Sequence, residues 1–142
     1  MDINEDEYPY LMTEHTWSWG PVATVFEQKS PPKELVSNIA IAPFDDSGWL
    51  IVRQKVGWGM VGGTLEPGET YIETLSRELL EEAGCLLIDY EIFGSLRMRS
   101  LAPNPYRAHL PFPLSYRLLA MGKVRRVGEP KSNPFGKGAR IG

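Results

Sequence analysis

The residues best suited to chemistry in this 142-residue chain are the glutamates of one short acidic stretch. Six of them fall between positions 66 and 84, where Arg77 is the only basic residue. Placed at about 100° per residue around a helix, Glu78, Glu81 and Glu82 lie within one arc of roughly 100°. Carboxylates at i,i+3 and i,i+4 repel each other, and in the last turn they also meet the negative end of the helix dipole.

Two interpretations of this acidic arc stay open from the spacing alone. A polar face in contact with solvent is the simpler one, and the helical wheel does not reject it. A solvated face usually mixes charges of both signs, however, whereas this arc gathers only carboxylates. Clustered carboxylates with no Cys or His among them suit a hard cation, so the pattern favours a site for Mg²⁺ or Mn²⁺.

A glycine-rich stretch, 55–63, precedes the acidic segment and predicts a loop. Glycine lets backbone groups approach an anion or a metal closely. A glycine-rich loop alone is weak evidence, but next to the acidic arc it describes a site for metal-bound phosphates.

The acidic residues need a helix to position them, and one helical pattern is clear. Thr70 and Glu73 form a T-x-x-E capping box at its start, and Gly84 is the C′ residue at its end. Its buried face is predicted from four apolar residues at helical spacing, Ile72, Leu75, Leu79 and Ala83.

Strands are predicted on both sides of this helix, at 21–28, 34–44, 49–54, 90–100 and 115–124. The turn-forming residues at 45–48 predict that 34–44 and 49–54 form a hairpin. The order of strands, helix and strands predicts an α+β fold with the helix packed on a mixed sheet. The length predicts one domain, 1–142, with a loosely ordered segment at 1–18. The end of the chain, 125–142, is rich in Gly, Pro and basic residues and predicts an irregular tail.

The helix and the glycines before it resemble the signature of the Nudix hydrolases, G-x5-E-x7-R-E-U-x-E-E-x-G-U, in which U is a bulky aliphatic residue. Cys85 stands at the last U position, and Val61 stands where the family often has proline. All the other fixed positions match in register: Gly63, Glu69, Arg77, Glu78, Leu79, Glu81, Glu82 and Gly84.

The resemblance implies an α/β/α sandwich that hydrolyses a nucleoside diphosphate linked to another moiety, a small-molecule substrate. It implies that Glu78, Glu81 and Glu82 bind the divalent metal, Mg²⁺ or Mn²⁺, helped by the backbone carbonyl of Gly63. The family's usual C-terminal helix has no counterpart in 125–142, and we expect a homodimer to cover the surface that this helix would cover.

Arg77 is implied to orient the cluster by pairing with carboxylates, including that of Glu69, which would be a structural partner. Glu78 is the candidate general base, since bound water must lose a proton during hydrolysis. Some family members use a glutamate from a downstream loop instead. Glu91 and Glu129 are the only glutamates after the motif, and neither is an obvious base.

Four residues are candidates for contact with the substrate. Arg53, Arg97 and Arg99 are candidate phosphate ligands, because a guanidinium matches phosphate geometry. Arg97 and Arg99 are two apart, so on a strand they share a face. Trp58 is a candidate for stacking on a base. Ordinary surface and packing roles are the alternatives for all four residues.

The composition excludes several other classes of protein. A net charge of −3 gives no strong signal for nucleic acid, and no apolar run reaches the length that spans a membrane. The acidic N-terminus is not a secretory signal, and the single cysteine fits a reducing compartment, so we expect a cytoplasmic protein. A non-catalytic sensor of nucleotide derivatives, or an interaction module with the same fold, is the alternative to an enzyme.

Overall fold

The computed structural model describes residues 2–54, 57–131 and 139–141. They form an α+β fold with one α-helix, as the sequence predicts. This helix, α1, spans Tyr71–Glu78 and continues into a π-helical turn, Leu79–Ala83. The strands in chain order are β1 His15–Trp17, β2 Val22–Glu27, β3 Val36–Asp45, β4 Gly48–Gln54, β5 Gly57–Gly59, β6 Val61–Thr64, β7 Cys85–Ser100, β8 Leu114–Arg126 and β9 Ala139–Ile141.

The chain divides into two compact units, and both β7 and β8 contribute residues to each. The first unit comprises the residues up to Asn38 together with Phe93–Leu119. Within it β1, β2 and β7 are neighbours, and β2 runs antiparallel to β7. Strand β2 is buried along most of its length rather than at alternate residues. The buried apolar residues of this unit include Val22, Ala23, Phe26, Met98 and Leu118.

The second unit contains the acidic segment and comprises Ile39–Ile92 and the chain from Ala120 onward. Strands β3 and β4 form the predicted hairpin, with Asp45 opposite Gly48. Strands β5 and β9 pair with β4, and β6 pairs with β3. Helix α1 packs on β6. The core of this unit is at most 1% exposed at Ile39, Ala40, Ile41, Val52, Val61, Leu75 and Leu79.

Helix α1 begins as predicted, and its π-helical continuation ends at Gly84, the predicted C′ residue. The Thr70 hydroxyl accepts a hydrogen bond from the Glu73 N–H at 3.2 Å, and the Glu73 carboxylate accepts one from the Thr70 N–H at 3.0 Å. These two bonds satisfy backbone donors that a helix start leaves unpaired. Of the predicted core face, Leu75, Leu79 and Ala83 are buried and Ile72 is half-buried.

The end of the π-helical turn is held by the chain that follows β8. The Gly84 carbonyl accepts hydrogen bonds from the N–H groups of Val127 at 2.9 Å and Gly128 at 3.2 Å. The Glu81 carbonyl accepts one from the Lys131 N–H at 2.8 Å. Gly84 has a φ of 64°, and a Cβ there would collide with the Gly128 carbonyl. Residues 127–131 therefore satisfy carbonyl groups that the helix end would otherwise leave open.

The prediction of a flexible loop at 55–63 is wrong over its described part. Gly57–Gly59 and Val61–Thr64 form β5 and β6, while positions 55 and 56 lie outside the described residues. Two of the glycines, Gly62 and Gly63, serve close approach of other groups to the backbone. A Cβ on Gly62 would collide with the Ile39 carbonyl oxygen and stand 2.8 Å from the Ala40 Cα. Strand β6 can therefore lie against β3 only because this position has no side chain.

The two ends of the chain also differ from the predictions. The segment 1–18, expected to be loosely ordered, contains a 3₁₀ turn at Glu5–Glu7 and strand β1. In the predicted irregular tail 125–142, β8 continues through Arg126 and β9 pairs with β4. Positions 132–138 and 142 of that tail lie outside the described residues. No helix in the described part of the chain is long and apolar enough to cross a membrane.

The close packing at Gly62 predicts a specific loss of stability. Gly62→Ala should lower the free energy of unfolding by about 1–3 kcal/mol, because the new methyl group forces β3 and β6 apart. Gly128→Ala is the matched control, since a Cβ there meets nothing within 4 Å. Urea denaturation of the two variants measures both changes, and equal stabilities would contradict this account of the glycine.

Candidate active site

Arg77 is the centre of the acidic cluster. Its Nε and Nη2 donate to the two carboxylate oxygens of Glu69 at 2.9 and 3.0 Å, so the guanidinium and the carboxylate form a two-pronged pair. Its Nη1 donates to Glu78 Oε1 at 2.8 Å and lies 3.5 Å from Glu81 Oε2. One cation thus contacts three carboxylates, which offsets part of the repulsion that the sequence predicts.

Glu69 is a structural acceptor, as the resemblance implies. Besides the two bonds from Arg77, its Oε1 accepts hydrogen bonds from the Glu66 N–H at 2.8 Å and the Thr74 hydroxyl at 2.9 Å. The hydrogen bond from Arg77 is the main reason that the pKa of Glu69 is lowered from 4.5 to about 2. The same pairing raises the pKa of the Arg77 guanidinium. Both groups therefore stay charged across the physiological range.

Glu82 lies in a very different environment. Burial is the main reason that its pKa is raised from 4.5 to about 8, and hydrogen bonding and charge repulsion from the neighbouring Glu78 carboxylate add to the shift. Gln54 Nε2 donates to Glu82 Oε2 at 3.3 Å, and this bond acts in the opposite direction. A half-buried pair of carboxylates in contact is unfavourable unless a proton or a cation lies between them.

Gly63 brings the backbone of β6 to this pair. A Cβ at position 63 would collide with the Glu78 carboxylate, so glycine leaves room for that side chain against the main chain. Carboxylate and carbonyl oxygens in excess of nearby positive charge are the donors that a hard divalent cation takes, and these residues fit such an ion. Within the described ranges, however, no three Asp, Glu, His or Cys side chains converge closely enough to form a metal-ligand set.

The π-helical turn changes the geometry that the helical wheel assumes. Glu78 ends the regular helix, whereas Glu81 and Glu82 lie within Leu79–Ala83, where each turn takes in an extra residue. The arc calculated at 100° per residue therefore does not describe these three side chains. Glu82 turns toward Gln54, while Glu81 stays closer to Arg77 and is 40% exposed.

Comparison with known proteins decides the family. The model of the NUDIX domain matches residues 34–135, which is most of the chain. The chain belongs to the NUDIX family.

Among curated proteins, an RNA pyrophosphohydrolase of Legionella pneumophila is 35% identical over 82 residues, which is 54% of this chain and 47% of the relative. The chain thus spans about half the length of the curated relatives that it matches. The Bacillus subtilis pyrophosphohydrolase BsRppH superposes with a TM-score of 0.67 at 13% identity, covering 92% of this chain and 77% of that one. A NUDIX hydrolase from Nitrosomonas europaea gives 0.52 at 23% identity, over 73% and 70%. At these identities the structural likeness concerns the fold.

The candidate substrate residues of this Nudix chain fall in two places. Register places Arg53 opposite Trp58 on β4 and β5, so the two exposed side chains share one face. Gln54 follows Arg53 and therefore points to the other face, from which it reaches Glu82. In the first unit, Arg97 and Arg99 are both exposed on β7, and Arg97 lies 3.6 Å from Glu27. Substrate contact by these four residues stays a prediction.

Two residues of the cluster were not foreseen from the sequence. Thr74 is fully buried and donates to Glu69, five residues before it. A polar residue one position before a core leucine carries a weak signal for such a contact. Gln54 contacts Glu82 across 28 positions, and no local pattern in the sequence could reveal this pairing.

The Glu69–Arg77 pair predicts a pH-dependent loss of stability in this Nudix chain. Glu69→Gln should lower the free energy of unfolding by about 2 kcal/mol at neutral pH, because charge-assisted hydrogen bonds are lost. The folded-state pKa of about 2 lies below the ordinary 4.5, so the contribution is complete above pH 4.5 and is lost as the pH falls toward 2.

Urea denaturation of both proteins between pH 2 and 7 tests this pH dependence. Glu34→Gln, an exposed carboxylate on a 3₁₀ turn, is the control and should leave stability unchanged within about 0.5 kcal/mol. A difference between wild type and Glu69→Gln that stays constant over the whole range would contradict the assignment.

Proposed function

We propose that this chain hydrolyses the pyrophosphate linkage of a nucleoside diphosphate joined to another moiety, with a divalent cation bound at Gly63, Glu78, Glu81 and Glu82. One observation carries the proposal. The Glu78 carboxylate lies against the backbone of Gly63 and interacts with the Glu82 carboxylate, although burial and like charge both oppose this arrangement. A bound Mg²⁺ or Mn²⁺ would neutralise the repulsion between the carboxylates, and hydrolysis by Nudix enzymes uses such an ion.

A divalent cation at such a site supplies charge neutralisation of the diphosphate and a bound water of lowered pKa. The protein's own residues would do the rest. Glu78 is our candidate for the general base that accepts the water proton at its carboxylate. Arg77, which donates to Glu78 Oε1 at 2.8 Å, would fix the direction of that carboxylate, and Glu69 would fix Arg77.

Contacts with the substrate are proposed at Arg53, Trp58, Arg97 and Arg99. The guanidinium groups of the three arginines suit phosphate oxygens, and the exposed indole of Trp58 suits stacking on a base.

A second candidate substrate is an RNA end. The curated relative at 35% identity is named an RNA pyrophosphohydrolase, and that observation favours it. Internal linkages of RNA are phosphodiesters, so a pyrophosphate linkage on RNA occurs only at a phosphorylated terminus. The same carboxylates would serve both substrates, because both reactions break a phosphoanhydride bond.

Turnover of defined substrates tests the proposal. We expect wild type with Mg²⁺ or Mn²⁺ to release phosphate, pyrophosphate or a nucleoside monophosphate from nucleoside diphosphate derivatives or from 5′-triphosphorylated RNA. Glu78→Gln and Glu82→Gln should each lower kcat by about 100-fold or more, because each removes a charged ligand or base.

Glu73→Gln is the matched control on the same helix. A glutamine also completes a capping box, so this variant should keep wild-type activity. Turnover that survives both site substitutions would contradict the site. Binding of a nucleotide derivative without turnover by wild type would favour the sensor instead, and light scattering of the same samples tests the expected homodimer.

A further inference from the structure

Gln54 is the last residue of β4, and its side chain joins two parts of the candidate site. Its Nε2 donates to the Met60 carbonyl at 3.0 Å and to Glu82 Oε2 at 3.3 Å. Met60 lies directly before β6, the strand that carries Gly63. A single amide group therefore connects the carboxylate of the π-helical turn to the strand that faces it.

The chemistry of this position suits a primary amide. The amide nitrogen carries two N–H groups, and the two acceptors use both of them. An ionised glutamate at position 54 has no donor, and a methionine of similar length has none either. A lysine has donors but would place a positive charge next to the carboxylates. Glutamine alone among side chains of this length offers two donors without a charge.

The Glu82 carboxylate is held from a second direction as well. The Gly62 N–H donates to it, so Glu82 accepts one hydrogen bond from β6 and one from β4. These two donors restrict the orientation of the carboxylate, which also interacts with that of Glu78. A flexible glutamate in the last helical turn would otherwise sample several rotamers.

We propose that Gln54 is a positioning residue, which orients the Glu82 carboxylate for a divalent cation by linking it to the main chain directly before β6. This inference rests on the proposed function, since it assigns Gln54 to the same site. Groups that orient metal ligands through hydrogen bonds typically affect metal affinity or activity by about 10–100-fold. Gln54 acts through Glu82 and has no contact with substrate in this account.

Metal affinity measures this role without reference to turnover. Mn²⁺ binding, followed by the electron paramagnetic resonance signal of the free ion, should be weakened by about tenfold or more in Gln54→Met. Gln28→Met is the matched control, because the Gln28 amide also makes two hydrogen bonds, both to the backbone of Ile3 in the first unit. This control should bind Mn²⁺ as wild type does.

Coupling to Glu82 separates positioning from a general structural effect. In the Glu82→Met background, in which position 82 offers no carboxylate or amide oxygen to Gln54, the further change Gln54→Met should weaken Mn²⁺ binding by less than about twofold, because the contact through which Gln54 acts is already removed. Equal effects of Gln54→Met in both backgrounds would overturn the proposal, and so would wild-type Mn²⁺ affinity in Gln54→Met.

A measurement that leaves Gln54 unchanged covers the case in which Gln54→Met is unstable. The side-chain amide resonances of Gln54 in a ¹⁵N-correlated NMR spectrum should shift when Glu82→Gln is introduced, whereas those of Gln28 should not. Unchanged Gln54 resonances would overturn the contact. These outcomes differ from failure of the proposed function, in which wild type hydrolyses no substrate while the NMR contact is still observed.

Discussion

The ion pair between Arg77 and Glu69 is the constraint on which the acidic segment depends. Helix α1 carries the guanidinium, and the turn before the helix carries the carboxylate that fixes it. Because Nε and Nη2 of Arg77 donate to Glu69, it is Nη1 that reaches Glu78 and Glu81. The positive charge is thus shared unequally. Glu82 receives none of it and relies on the neutral donors of Gln54 and Gly62 instead.

This unequal sharing gives the cluster two regions with different electrostatics. Around Glu69 the charges are balanced, and the pair behaves as part of the folded framework. Around Glu78 and Glu82 negative charge is in excess and partly shielded from water. A rigid framework beside a region of excess negative charge favours the binding of a cation, since ligands that are already in position lose less entropy when an ion binds.

Local rules predicted the parts of this molecule that are decided locally. The capping box, Gly84 at the helix end and the β3–β4 hairpin were all accessible from residue types and spacing. The Glu69–Arg77 pairing was implied only by the resemblance to the Nudix signature. The misplaced features depend on contacts between distant segments. The sequence predicted a loop around Gly62, because the approach of β3 to this residue cannot be seen from the sequence. The helical wheel assumes a regular α-helix and could not reveal the π-helical turn. Gln54 lies 28 positions from its partner Glu82, so no local pattern indicates their contact.

The hydrogen bonds that residues 127–131 make to the turn come from the main chain alone. The donors are the amide groups of Val127, Gly128 and Lys131, and no side chain in that segment is needed for them. Most side chains in that segment can therefore change during evolution without loss of the hydrogen bond to the Glu81 carbonyl. A comparison of sequences would then show little conservation in a segment that the structure needs. Proline is the exception, because it has no N–H to offer at those three positions.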